Sequence, residues 1–159
     1  MRAPTDTQAL DFNLQKFALP APIGARVQSG DVRLVVMPCR PQPVIDQEIV
    51  SMAGIAPGDD VALIQAIQSA LIGGMIATPV CLGHAFELVQ ALPVQYARLG
   101  TALVRHVGIT RIEQLTDAQL RDSGHGSAAD FAEYWASTAP DIPTATNPWC
   151  WLVQFEYKG

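Results

Sequence analysis

Three arginines near the front of the chain, Arg26, Arg33 and Arg40, and two alternating tryptophans near its end, Trp149 and Trp151, are its most suggestive chemical groups. A guanidinium gives phosphate a counter-charge and a flat ring gives an unpaired base a face, so these residues are expected as a platform for single-stranded RNA or a nucleotide, against the plainer reading of tryptophans in a core and arginines in solvent. His125, between Gly124 and Gly126, is the sixth candidate. It is expected at an exposed turn, where an imidazole can stack, move a proton or simply close the turn. Cys81, His84 and Glu87 recur every third residue, but on a strand that spacing turns neighbours to opposite faces, and no metal site is expected. Cys39, Cys81 and Cys150 form an odd set without a C-x-x-C pair and read as buried reduced thiols. Asp46 with Glu48, and Asp59 with Asp60, fit solvated turns. The chain carries no phosphate-binding glycine loop, nucleophile elbow or H-E-x-x-H pattern, and no cofactor is expected.

The elements that must hold these groups are clearest in the last third. Ile109 to Ile112 predicts a strand, Thr116 to Asp122 and Ser127 to Thr138 predict two helices, and Trp149 to Tyr157 predicts a closing strand. Thr116 with Gln119 is a capping box, and Ser127 with Asp130 repeats the pattern with an acid that suits the helix dipole. Phe131, Tyr134, Trp135 and Thr138 share one helical face. In the closing strand Trp149, Trp151, Val153, Phe155 and Tyr157 alternate with Cys150, Leu152, Gln154 and Glu156, the period of a strand. Upstream, 1–11 reads as a loose arm, and Phe12, Leu14 and Phe17 as anchors in a short strand. Pro22 to Gln28, stopped by Gly30, predicts a short helix, and Val32 to Met37 a strand ending at Pro38. Val44 to Met52 fits either state. After the Pro57-Gly58-Asp59-Asp60 turn, Val61 to Ile67 reads as a buried strand more readily than as part of a helix from Asp60 to Ile72. Met75 to Cys81 and His84 to Val89 are β-like, and Leu92 to Val104 is ambiguous.

At 159 residues, 49% hydrophobic and 16% charged, the chain is long enough to bury a core without metals or disulfides. One domain is expected over 12–159. Its net charge of -5 gives no general attraction to a phosphate backbone, so a nucleic-acid site has to be a local patch. Eight of the ten basic residues are Arg, which suits bidentate contacts but also follows from base composition. The start is not a secretory signal, and the apolar region Val61 to Val80 is interrupted by Gln65, Gln68, Gly73-Gly74 and Pro79, so no membrane span is expected and a cytoplasmic location follows by default.

Gly124 to Trp135 followed by Asn147 to Glu156 resembles the ending of ASCH domains, small β-barrels related to the PUA fold, in which a Ser-capped helix ending near Trp precedes a last strand of the pattern W-x-W-x-V-x-F. Leu115-Thr116-Asp117 and the Pro57-Gly58-Asp59 turn also resemble segments of that family, including its phage-encoded members. The resemblance implies an α+β fold, a small mixed β-barrel of the PUA/ASCH type with short flanking helices. It departs at the G-x-K-x-x-(E or T)-x-R motif: counted from Gly30, the three positions hold Val32, Val35 and Met37.

The resemblance implies a module that binds RNA or a nucleotide, and loss of the Lys-bearing motif points away from catalysis. The expected ligand residues are Arg26, Arg33, Arg40, His125, Trp149 and Trp151, with salt-dependent RNA binding lowered by Arg33→Ala and Arg40→Ala. Two alternatives stand beside it. One is a protein-interaction module, for instance a phage-derived inhibitor that meets a host factor through its acidic surface. The other is a ribonuclease or modified-nucleoside amidohydrolase in which His125 or Glu113 takes over the missing catalytic role.

Overall fold

The computed structural model of the protein describes residues 16–19, 21–80, 82–91 and 96–159. The expected arm at 1–11, the anchors Phe12 and Leu14, Cys81 and residues 92–95 lie outside the described residues. Five strands, β1 (Lys16–Leu19), β2 (Leu34–Pro38), β3 (Ala85–Ala91), β4 (Tyr96–Arg111) and β5 (Trp149–Tyr157), join one sheet in the order β1-β3-β4-β5-β2. β1 runs parallel to β3, and the other three pairings are antiparallel. Around the sheet lie α1 (Ala21–Gln28), α2 (Gln47–Met52), α3 (Asp60–Ile72), α4 (Asp117–Asp122) and α5 (Ala128–Thr138). The class is therefore mixed α+β as expected. β1 and β2 stand at opposite ends of the strand order and do not pair, so the described strands form an open sheet where a closed barrel was expected.

The alternation of β5 divides the core in two. Trp149, Trp151, Val153 and Phe155 point into the larger core, which includes Val27 of α1, Leu71 of α3 and Phe86 and Leu88 of β3. Phe86 meets Phe17 and Phe155 edge-on, at 4.7 and 5.7 Å between ring centroids. Cys150 faces the other way and packs with Leu34 and Val36 of β2 beneath Leu120, Phe131 and Trp135. Both faces of the first half of β5 are thus covered. Burial pushes the thiol of Cys39 up to about 12 and that of Cys150 higher still, so both stay protonated.

The capped helices form as their sequence dictates. Thr116 accepts from the Gln119 backbone N–H and the Gln119 side chain accepts in return, while Ser127 accepts from Asp130 N–H. Phe131 and Trp135 are buried and Tyr134 is half-buried, but Thr138 is exposed and turns its hydroxyl back to Tyr134 O.

Two expected strands are not strands. Val61 to Ile67 belongs to α3, because Asp59 accepts from Ala62 N–H and turns the Pro57-Gly58-Asp59 segment into a helix start. Leu63, Ile64, Ile67 and Leu71 then meet the core at helical spacing. From Met75 to Val80 the chain is irregular, with Val80 alone of these buried. The undecided 44–52 segment contains α2, where Asp46 accepts from Glu48 and Ile49 N–H. The ambiguous segment before Val104 is β4 from Tyr96 onward.

β4 is long enough to pair β3 with its first half and β5 with its second. Past Val104, which still pairs with Gly83 and His84, its β3-side edge has no strand partner among the described residues, and α3 covers it. Gln68 accepts from Ile109 N–H at 2.9 Å and donates to Val107 O at 3.5 Å. This side chain fixes α3 against the sheet and brings its N-terminus beside the end of β4. No described helix is long and apolar enough to cross a membrane.

Candidate ligand-binding site

The six residues singled out from the sequence do not form one site. Arg26 is half-buried and donates to Gly124 O at 3.3 Å. Arg33 is exposed and borders a shallow depression with Phe155, Glu156 and Tyr157. Arg40 grips Asp141 with both terminal nitrogens, at 2.6 and 3.1 Å, and this holds the Asp141 carboxyl below its usual range. Arg33 and Arg40 flank opposite ends of β2, a separation of roughly 20 Å along an extended chain. Trp149 and Trp151 are buried in the core; Trp151 and Arg40 border one mostly apolar cavity of about 530 Å³, whereas Arg26 and Arg33 have neither tryptophan beside them in a cavity wall.

His125 is buried rather than exposed. Its ring lies 5.1 Å from that of Phe131 and 4.8 Å from that of Tyr134. Burial lowers its pKa, the Asp130 carboxylate partly restores it, and the Arg26 guanidinium depresses it further. The preceding Gly124 has φ +90°, and a Cβ there would meet Ile23 and Val32 at 3.1 Å, so a glycine is required for the turn to close on α1.

A different set of residues converges where β4 ends and β5 begins. A cleft of about 470 Å³ opens there between the 42–63 segment and the sheet, with Arg111, Asp60, Gln42 and Asn147 among its walls. That volume suits a small organic ligand. Arg111 donates through Nε to Asn147 O at 2.9 Å and through Nη1 to Asp60 Oδ1 at 3.3 Å, while its guanidinium carbon lies 5.3 Å from the Trp149 ring centroid. These contacts leave Nη2 of Arg111 and Oδ2 of Asp60 without a hydrogen-bond partner among the described residues. The two side chains are 23% and 26% exposed, enough to be met from the cleft while their stems are fixed by packing.

Backbone geometry sets the rest of the floor. Gln42 binds the start of β5 in the manner of a short strand: its Oε1 accepts from Trp149 N–H at 2.7 Å, and its Nε2 donates to Trp149 O and Cys39 O, both at 2.9 Å. Asn147 sits in the left-handed region at φ 50°, a conformation asparagine tolerates better than most residues, and its Oδ1 accepts from Glu113 N–H at 2.9 Å. Arg111 itself is held by groups from two separate stretches of chain, Asp60 at the start of α3 and Asn147 with Trp149 at the start of β5.

The charged lining consists of Asp59, Asp60 and Arg111, so the cleft has an excess of one carboxylate. It disfavours a phosphate and favours a neutral, planar group that can both donate to a carboxylate and accept from a guanidinium. The lining contains no imidazole, thiol or amine. Among the described residues no three His, Cys, Asp or Glu side chains group in a way that would hold a metal ion. Sequence inspection missed this site because Arg111 reads as a strand residue, Asp60 as a solvated turn and Gln42 as part of a proline-rich loop. No local spacing joins them.

The fold defines a mixed α+β architecture built on an open sheet, with a cleft where β4 ends and β5 begins. Among solved structures, the crystal structure of protein EF3133 from Enterococcus faecalis V583, described under the family designation DUF984, is similar to it. The match covers 98% of this chain and 88% of that chain, with a TM-score of 0.56 and 12% sequence identity. At that identity the likeness is one of fold. No protein-family model and no curated protein matches the sequence.

Proposed function

We propose that the chain is an ASCH-like, PUA-related binding module that receives the base of a nucleotide, free or at an unpaired end of RNA, in the Arg111 cleft without transforming it. The Arg111–Asp60 pair is the observation that carries this reading. The pair meets through Nη1 and Oδ1 and leaves one donor nitrogen and one acceptor oxygen uncommitted among the described residues, and a donor with an acceptor is the complement that the alternating carbonyl and amino groups on the Watson–Crick edge of a base require. The order of motifs at the end of the chain and the α+β sheet support the ASCH-like assignment. The cleft's negative balance directs phosphate groups outward, so affinity resides in the base and depends weakly on salt.

Calorimetric titration of the protein with the four ribonucleosides and their monophosphates tests this. One nucleoside is expected to bind, with its monophosphate of similar affinity. Arg111→Gln or Asp60→Asn should each weaken it about ten- to hundred-fold, the equivalent of one lost charge-assisted hydrogen bond. Arg33→Ala, far from the cleft, should leave it unchanged. Binding that needs the phosphate and vanishes with moderate salt would instead place the ligand on a cationic surface.

A further inference from the structure

The α2–α3 layer carries apolar side chains on its outside as well as its inside. Val44, Ile49 and Met52 are 96%, 65% and 87% exposed, and α2 has no buried residue of its own. Beside them an apolar groove of about 270 Å³ runs between the helices, walled by Ile49, Val50 and Ala53 on the α2 side and Ala66, Ile67 and Ala70 on the α3 side. The three alanines leave room for bulky side chains entering from outside. Asp46 is the one charged residue on the lining.

Charge selects the occupant. From residue 41 to residue 97 the sequence contains no Lys or Arg. Asp46 and Glu48 are both exposed at the start of α2. Arg40, which borders the adjoining cavity beside Val44 and Ile45, is engaged by Asp141, so a second copy docked by two-fold symmetry would bring the carboxylates of Asp46 and Glu48 against their own copies, which costs like-charge repulsion. A cationic partner meets no such penalty.

We infer that the α2–α3 groove is a docking site for an amphipathic helix of a partner protein, with large aliphatic or aromatic anchors on one face and Lys or Arg on its flanks. The anchors, at helical spacing, fill the space above Ala53, Ala66 and Ala70, and the cations face Asp46 and Glu48. The groove shares Ile45, Val50, Ile55 and Leu63 with the wall of the Arg111 cleft but includes neither Arg111 nor Asp60, so the inference does not rest on what the cleft binds.

The test uses the full chain and two labelled helical peptides of about fifteen residues, sharing one leucine face, with Lys flanks in one and Glu flanks in its twin. Fluorescence anisotropy should show saturable binding of the Lys peptide and about tenfold or weaker affinity for the Glu twin. Ile49→Ser with Met52→Ser, both at exposed positions, should abolish the Lys-peptide signal, and Glu48→Lys should narrow the gap between the peptides. Equal binding of the twins, binding by neither, or full binding to the double serine variant would overturn the inference. So would sedimentation showing a dimer of the wild-type chain that the double variant splits, since a second copy would then be the occupant.

Discussion

Replacing Gln42 by Ala removes three hydrogen bonds that tie the 39–43 loop to the start of β5. Trp149 O retains Cys39 N–H at 3.2 Å, whereas the acceptor for Trp149 N–H is lost. Trp149 is buried, so that donor bears the desolvation penalty of an unpaired amide, about 1–3 kcal/mol, and loss of the bonds to half-buried Gln42 adds up to roughly 1 kcal/mol. A total of about 1–4 kcal/mol lowers Tm by roughly 2–16 °C in a domain of this size. Urea titration of wild type and Gln42→Ala measures it. Gln42→Glu sharpens the test, because its carboxylate accepts from Trp149 N–H but faces two carbonyl oxygens in place of the amide donor. Only the protonated acid can donate there, so its folded-state pKa must rise above the unfolded value. The variant should therefore be less stable than Gln42→Ala at neutral pH and recover relative to it as pH falls through that raised pKa. A Gln42→Ala protein within about 0.5 kcal/mol of wild type would refute the role assigned to this side chain.

Thr116→Ala breaks the capping box of α4 and should cost about 1 kcal/mol in a urea titration, with Thr116→Ser retaining most of it. Gln68→Ala should cost about 1–3 kcal/mol and speed hydrogen exchange at the Ile109 amide, while amides paired between β4 and β5 keep their protection. His125 has a folded-state pKa below its ordinary value of about 6.5, so as pH falls the unfolded chain takes up the proton first. Its contribution to stability is full above about 6.5 and is lost as pH falls from there toward the folded-state pKa. The stability of wild type relative to His125→Phe should fall between pH 8 and pH 5, and a difference that stays constant would contradict a buried neutral imidazole.

Local signals were legible where the chain supplies its own partners. Thr116 with Gln119, Ser127 with Asp130 and the alternation from Trp149 to Tyr157 each concern residues within one element, and each forms as its spacing dictates. Val61 to Ile67 misled because an apolar run suits a buried strand or a helix, and the deciding contact is a single one from Asp59 to Ala62 N–H. The closed barrel was carried by family likeness, and strand order is settled by pairing between distant segments that composition does not encode. His125 lies between two glycines, which suggests an exposed turn. Its burial depends on Phe131 and Tyr134 closing over it. The cleft was illegible for the same reason on a larger scale: Gln42, Asp60, Arg111 and Asn147 meet only after α3 has docked beside β4.

Whether a base enters that cleft is tested most directly by titrating the ¹⁵N-labelled protein with each ribonucleoside and following its backbone amides by NMR. Shifts should concentrate at Gln42, Asp60, Arg111 and Asn147 for one nucleoside, remain absent at Arg26 and Arg33, and need about ten- to hundred-fold more nucleoside in Arg111→Gln. Shifts centred on Arg26, Arg33 and the end of β5, or none for any nucleoside at about 1 mM, would contradict a base-binding cleft at Arg111.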